Sequence, residues 1–98
     1  MSYNLRFDDK ARKAWDRLDS TIRSQFQKVL ARRLEEPRVP SARLRGGVDI
    51  YKIKLRDAGY RLIYEVNDTE VVVHVIAVGR RKEVYATLER MFGGRHFD

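Results

Sequence analysis

Apolar and polar residues change period several times along the chain, and each change marks an element. Tyr3, Leu5 and Phe7 alternate with Asn4 and Arg6, the two-residue period of a short strand. Asp8 or Asp9 can then accept the open backbone amides of a helix in which Ala11, Ala14, Trp15 and Leu18 recur at helical spacing. Asp19-Ser20 restarts the pattern, and Ile22, Phe26, Val29, Leu30 and Leu34 form a longer stripe that Pro37 ends. The short link between the two predicts an αα-hairpin whose stripes are buried against a sheet. Arg23, Lys28, Arg32 and Arg33 fall elsewhere on its surface and read as solvated charge. From Arg38 to Asp49, with Pro40 and Gly46-Gly47 as breakers, the chain reads as an irregular basic loop.

The next stretch, IYKIKLRDAGYRLIY at Ile50 to Tyr64, organises the rest. Tyr51, Ile53 and Leu55 alternate with Lys52, Lys54 and Arg56, so the strand packs one face and leaves the other cationic. Asp57-Ala58-Gly59 is turn chemistry and predicts a hairpin. For Tyr60, Leu62 and Tyr64 to share the apolar face, Leu55 must lie opposite Tyr60 and Lys54 opposite Arg61, because a one-residue slip exchanges the faces. Lys52, Lys54 and Arg61 therefore converge, while Tyr51 and Tyr64 join the core. After a turn at Asn67-Asp68, EVVVHVIAV is apolar on both faces, as an interior strand should be. With Tyr64 facing Val71, residues Val71, Val73, Val75 and Ala77 join the helix-covered face. Val72, His74, Ile76 and Val78 then underlie the cationic one, and His74 neighbours Arg61. Gly79 breaks this strand, and Val84, Leu88 and Met91, with Tyr85 and Phe92, predict a closing amphipathic helix before Gly93-Gly94. The expected fold is α+β: an antiparallel sheet, an N-terminal αα-hairpin packed on one face and a short C-terminal helix, in a single domain over residues 1–98.

Composition narrows the partners. Lys and Arg number 21 against 14 acids, a formal charge of +7, and this excess favours polyanions, nucleic acid first, or an acidic protein partner. The chain has no cysteine and hence no disulfide or thiolate chemistry, which suits a reducing cytoplasm. Neither a signal peptide nor a membrane span is evident, so a cytoplasmic location with no membrane partner is expected.

Like charges opposite one another on neighbouring strands repel, so a bound anion such as a phosphate would offset the cost of gathering Lys52, Lys54 and Arg61. A solvated basic strand face accounts for the alternation alone equally well. Metal-free cleavage of RNA by the ribose 2′-OH needs a base, stabilisation of the phosphorane oxygens and help for the leaving 5′-oxygen. Two histidines, no cysteine and no acids at ligand spacing leave no metal site, and no cofactor is expected. Arg61, Arg81 and the lysines supply positive field, and positive neighbours favour the neutral amine that lets a lysine act as base. His74, set in a run of valines, reads as structural. Tyr85, near Arg81, can stack on a base or serve as a helix-interface aromatic.

The motifs YKIKLRDAGYRLIY at Tyr51–Tyr64, LRG at Leu44–Gly46, VVVHVIAVGRR at Val71–Arg81 and EVY at Glu83–Tyr85 resemble the RelE toxins of bacterial toxin–antitoxin pairs, as does FDDKARKAWDRL at Phe7–Leu18. That resemblance implies a microbial-ribonuclease-like fold and a metal-independent, ribosome-dependent endoribonuclease. Such toxins cut the A-site codon of mRNA by 2′-OH attack and so inhibit translation. It implies catalytic roles for Lys52, Lys54, Arg61, Arg81 and Tyr85: Lys54 as base, Arg61 on the transition state, Arg81 at the leaving oxygen and Tyr85 as the stacking platform. Arg45 matches a basic position that helps hold RNA, and Arg43, Arg56, Arg80 and Lys82 extend the expected RNA-binding surface. A cognate RelB-like antitoxin, the ribosome and mRNA are the implied partners, with operator DNA reached only through the antitoxin. The connection from Arg81 to Tyr85 is shorter than in the family pattern. The related ParE-type toxins, which share the fold, lack this basic set and act on DNA gyrase, are the alternative, as is a simple RNA-binding module.

Overall fold

The structure, a computed structural model, describes residues 2–46, 48–55 and 57–94. Strand β1 (Asn4–Phe7) leads into helices α1 (Asp9–Asp16) and α2 (Ser20–Glu35), followed by strands β2 (Ile50–Leu55), β3 (Tyr60–Asn67) and β4 (Val72–Arg80) and helix α3 (Arg81–Met91). The Asp8 side chain accepts the Lys10 amide at the start of α1, while Asp19 occupies the equivalent position of α2 without a side-chain bond. A single 3-10 turn at Pro40–Ala42 interrupts the basic loop.

The sheet order is β1-β4-β3-β2, with β2–β3 and β3–β4 antiparallel. β1 lies parallel to β4, anchored by Asn4 N–H to Val71 O and Asp8 N–H to Val75 O, each 2.9 Å, so the sheet is mixed at this edge. The predicted hairpin register holds: Leu55 faces Tyr60 and Lys54 faces Arg61. Gly59 at φ 69° supplies the left-handed turn residue, and a Cβ there would meet nothing within 4 Å, so backbone conformation rather than crowding favours glycine.

The β3–β4 register differs from the sequence expectation in two ways. Tyr64 faces Val75 rather than Val71, because the connecting turn is longer and the strand starts only at Val72. The shift is even, so Val73 and Val75 keep their predicted face. A bulge then intervenes: Ile63 pairs with Ala77 and Tyr64 with Val75, leaving Ile76 as the extra residue. Beyond it the faces exchange, so Val78 packs under the helical hairpin and Ala77 on the opposite side, the reverse of the alternation predicted.

Each face of the sheet has its own core. Trp15, Phe26 and Leu30 of the hairpin cover Tyr51, Ile53, Leu62, Tyr64, Val73 and Val75 on the first face. On the second, Val84 and Leu88 of α3 and Leu44 of the preceding loop cover Ile50, Ile63, Ile76 and Ala77. α3 thus covers part of the face that carries the lysines.

Arg33 departs from the solvated reading of the helix charges. Its Nη1 donates to Tyr64 Oη (2.8 Å) and to the Lys52 carbonyl (3.2 Å), while Tyr64 Oη donates to Pro37 O (2.6 Å). Burial pushes the Tyr64 phenol up despite the nearby guanidinium, so it stays a donor. Tyr64→Phe removes the acceptor of Arg33 on α2 and the donor to the Pro37 carbonyl, and a loss of about 1–3 kcal/mol is expected in urea unfolding; an unchanged midpoint would mean that water replaces the hydroxyl.

A second polar cluster joins distant segments at the far end of the sheet. Arg38 donates through Nε and Nη2 to Asp49 (3.0 and 2.7 Å) and through Nη1 to Asp68 (3.0 Å), which also accepts from Tyr3 Oη (2.6 Å). The hydrogen bonds from Arg38 hold both carboxyls below their ordinary range, Tyr3 adding to the effect at Asp68. A carboxyl depressed in the folded state stabilises it above the unfolded value, 3.8, and that stability is lost as pH falls through the lower, folded value. Arg38→Met is therefore expected to lower Tm by about 2–5 °C at pH 7. The gap to the unsubstituted protein should close as pH drops below about 4. A gap that stays constant with pH would show that packing, not charge, is the cause.

Candidate functional site

The second face of the sheet is apolar where α3 and Leu44 cover it and cationic at the β2–β3 turn. Alternation along β2 sends Lys52 and Lys54 to this face beside the buried Ile50, and alternation along β3 sends Arg61 there beside the buried Ile63. Lys54 and Arg61 are direct cross-strand partners, which sets their Cβ atoms about 4.5–5.5 Å apart. The Lys52 carbonyl is held from the opposite face by Arg33, which fixes the backbone between the two lysines. The sequence carried a signal for this tie: Arg33 lies three residues after Leu30 and seven after Phe26, on the buried stripe of α2.

Arg61 is partly buried. Its Nη1 donates to the Tyr60 carbonyl (3.0 Å), and its Nε is buried with no hydrogen-bond partner among the described residues. A buried donor left unpaired costs about 1–3 kcal/mol, a cost an incoming acceptor removes. Among the described residues, no carboxylate lies within ion-pair distance of Lys54, Arg61 or Arg81.

Arg81 opens α3, where its N–H donates to Gly59 O (3.0 Å) and locks the helix start onto the β2–β3 turn. The short connection puts Tyr85 one helical turn on, and the Arg81 guanidinium lies over its ring, 5.3 Å from the centroid. Tyr85 is half-buried against the second core, so it is partly a helix-interface aromatic and partly accessible. The fold thus gathers Lys52, Lys54, Arg61, Arg81 and Tyr85 around one end of one face.

The expected RNA-binding residues distribute less evenly. Arg43 and Arg45 are exposed on either side of the buried Leu44, with Arg43 bridged to Tyr51. Lys82 is exposed in the first turn of α3. Arg80 is Cα partner to Tyr60 and its guanidinium stacks on that ring, 5.0 Å from the centroid, on the helical-hairpin face and away from the lysines. Arg56 lies outside the described residues.

His74 is not a neighbour of Arg61. Arg61 pairs with Gly79, whereas His74 pairs with Glu65 toward the other end of the strands, Nδ1 to Oε1 3.8 Å. The longer β3–β4 turn is the cause. Among the described residues, no group of three or more His, Cys, Asp or Glu is placed to hold a metal ion, and no helix is long and apolar enough to cross a membrane.

A mixed four-stranded sheet with a helical hairpin on one face, a terminal helix on the other and a cationic strand end agrees with the family comparison. Over residues 5–85 the chain matches the family described as ParE toxin of the type II toxin–antitoxin system parDE, and it belongs to this family of RelE- and ParE-type toxins. More particularly, it is 53% identical over 88 residues to the mRNA interferase toxin RelE of Escherichia coli K12, spanning 88% of this chain and 93% of that protein. A double-arginine variant of E. coli toxin RelE in the free state superimposes with a TM-score of 0.83 at 50% identity, covering 93% of this chain and 99% of that one. A chain of the intact E. coli RelBE toxin–antitoxin complex gives a TM-score of 0.79 at 53% identity, covering 81% and 96%.

Proposed function

We propose that this protein is the toxin of a type II pair and cleaves mRNA in the ribosomal A site by attack of a ribose 2′-OH on the adjacent phosphodiester. The observation that carries this reading is the pairing of Lys54 with Arg61, whose buried Nε has no partner among the described residues, at a strand end where no described acid neutralises them. The half-identical relative named mRNA interferase supports it. Lys54 Nζ, as the free amine, takes the 2′-OH proton as the oxygen bonds to phosphorus, and Lys52 adds positive field. Arg61 binds the phosphorane oxygens, where charge develops. The bond to the 5′-oxygen then breaks, Arg81 stabilising the departing oxygen, and the products are a 2′,3′-cyclic phosphate and a 5′-OH. Tyr85 orients the nucleotide by stacking on the ring area that Arg81 leaves open.

Among the described residues no carboxylate–histidine pair stands at this end of the sheet, so rate depends on an external body that aligns the 2′-OH with the phosphate, a role that suits the ribosome. A RelB-like antitoxin blocks the activity through an acidic or amphipathic segment, and operator DNA is contacted only through it. Primer extension on translated message tests the reading: cuts are expected inside A-site codons. Their persistence in an Arg61→Ala/Arg81→Ala double variant would contradict the assignment. The family's ParE description favours a gyrase inhibitor as the second reading, and inhibited supercoiling with intact message would support it.

A further inference from the structure

The end of the sheet carries two arginine–tyrosine stacks back to back. Arg80 and Arg81 are consecutive, yet Arg81 lies over Tyr85 on the face with the lysines and Arg80 lies over Tyr60 on the other. Tyr60 and Arg61 are likewise consecutive and alternate between the same two faces. The Tyr60–Arg80 stack lines a groove of about 310 Å³ with Arg17, Leu18 and Gly79, and with Glu83 as its acid. Arg17 sits at the C-terminal end of α1, and both it and Arg80 are exposed without a carboxylate partner among the described residues. The larger groove nearby, between α1 and α3, sets Asp8, Asp9 and Glu83 against Lys10 and Arg90, so its lining is acidic on balance and suits a polyanion less well.

We infer that the Arg17–Tyr60–Arg80 groove is a second RNA subsite: its two guanidiniums take a phosphodiester and the Tyr60 ring takes the adjoining base. An aromatic face with arginine beside it is the common platform for an unpaired nucleotide and is tolerant of sequence. Tyr60–Arg61 and Arg80–Arg81, paired at the end of the sheet, separate this groove from the cleavage site, so RNA crossing that end can engage both faces. The subsite rests on the nuclease reading for its biological meaning. It is occupied either by the message beyond the cut or by ribosomal RNA, which share this chemistry.

The test compares Arg17→Ala and Tyr60→Leu with the unsubstituted protein. One arm uses a fluorescein-labelled single-stranded RNA with a 2′-O-methyl group at every position, which cannot be cut, and the other uses programmed ribosomes. Losing one stacked base or one phosphate contact is expected to weaken binding about tenfold. On ribosomes the loss should fall on the half-saturating concentration rather than the maximal rate. Weakening in both arms identifies the message strand, and weakening on ribosomes alone identifies ribosomal RNA. Arg17→Ala, at an exposed helix end, keeps the test valid should Tyr60→Leu misfold. Unchanged affinity in both arms for Arg17→Ala and for folded Tyr60→Leu overturns the subsite. Absence of cleavage by the unsubstituted protein overturns the nuclease reading instead and leaves the oligonucleotide arm to decide the subsite.

Discussion

Replacing Lys54 by alanine is expected to slow single-turnover cleavage of message on programmed ribosomes by about 10²–10⁴-fold, the span of a positioned proton acceptor. Lys54 is exposed and its described surroundings hold no partner, so the folded state should lose almost nothing: Tm within about 2 °C of the parent. Rate and stability thus separate, which a structural lysine would not allow. Lys54→Arg tests the role further, because its guanidinium stays protonated and so supplies positive field but cannot accept a proton at neutral pH. If the arginine variant cuts at the parental rate, Lys54 supplies field and not basicity, and the base must be sought elsewhere.

Arg61→Ala is expected to lower the same rate by about 10²–10³-fold, the usual cost of deleting a donor aimed at developing charge. Here stability should rise slightly or stay level, because the substitution also removes the buried, unpartnered Nε. A gain in Tm together with a collapse in rate would mark the residue as one kept for chemistry at the expense of the fold. Arg61→Lys should recover little, since a point charge cannot reproduce the planar fork. A variant that lost rate and stability together would point to a scaffold role for the guanidinium.

Both predictions concern a site whose geometry was legible in the chain, and the reason is local. Between Ile50 and Tyr64 the period of two is unbroken on both strands, and Asp57-Ala58-Gly59 limits how they can pair, so the convergence of Lys54 and Arg61 follows from counting. β4 offered no such handle. EVVVHVIAV is apolar at nearly every position, so nothing in it marks which residue is inserted at the Ile76 bulge or how long the preceding turn runs. The misplaced neighbours of His74 and the exchanged faces of Ala77 and Val78 are the same ambiguity seen twice. The parallel pairing of β1 was illegible for another reason: a four-residue strand has no pattern that names its partner.

Other parts of the site depended on contacts between elements. The periodicity of α3 announced a buried stripe but not the face of the sheet that receives it, and that choice is what sets Arg81 and Tyr85 beside the lysines. The tie from Arg33 to the Lys52 carbonyl joins residues far apart in the chain, and only the buried stripe of α2 hinted that Arg33 faces inward.

The central claim is that the cationic end of the β2–β3 hairpin, where no described carboxylate pairs with Lys54 or Arg61, promotes attack by the substrate's own 2′-OH. It is tested most directly by programming ribosomes with a message whose A-site cleavage position carries a single 2′-deoxy residue. Cutting is expected to vanish at that position while the all-ribose message is cut there; cleavage of the deoxy-substituted message at the same linkage and a comparable rate would contradict the account.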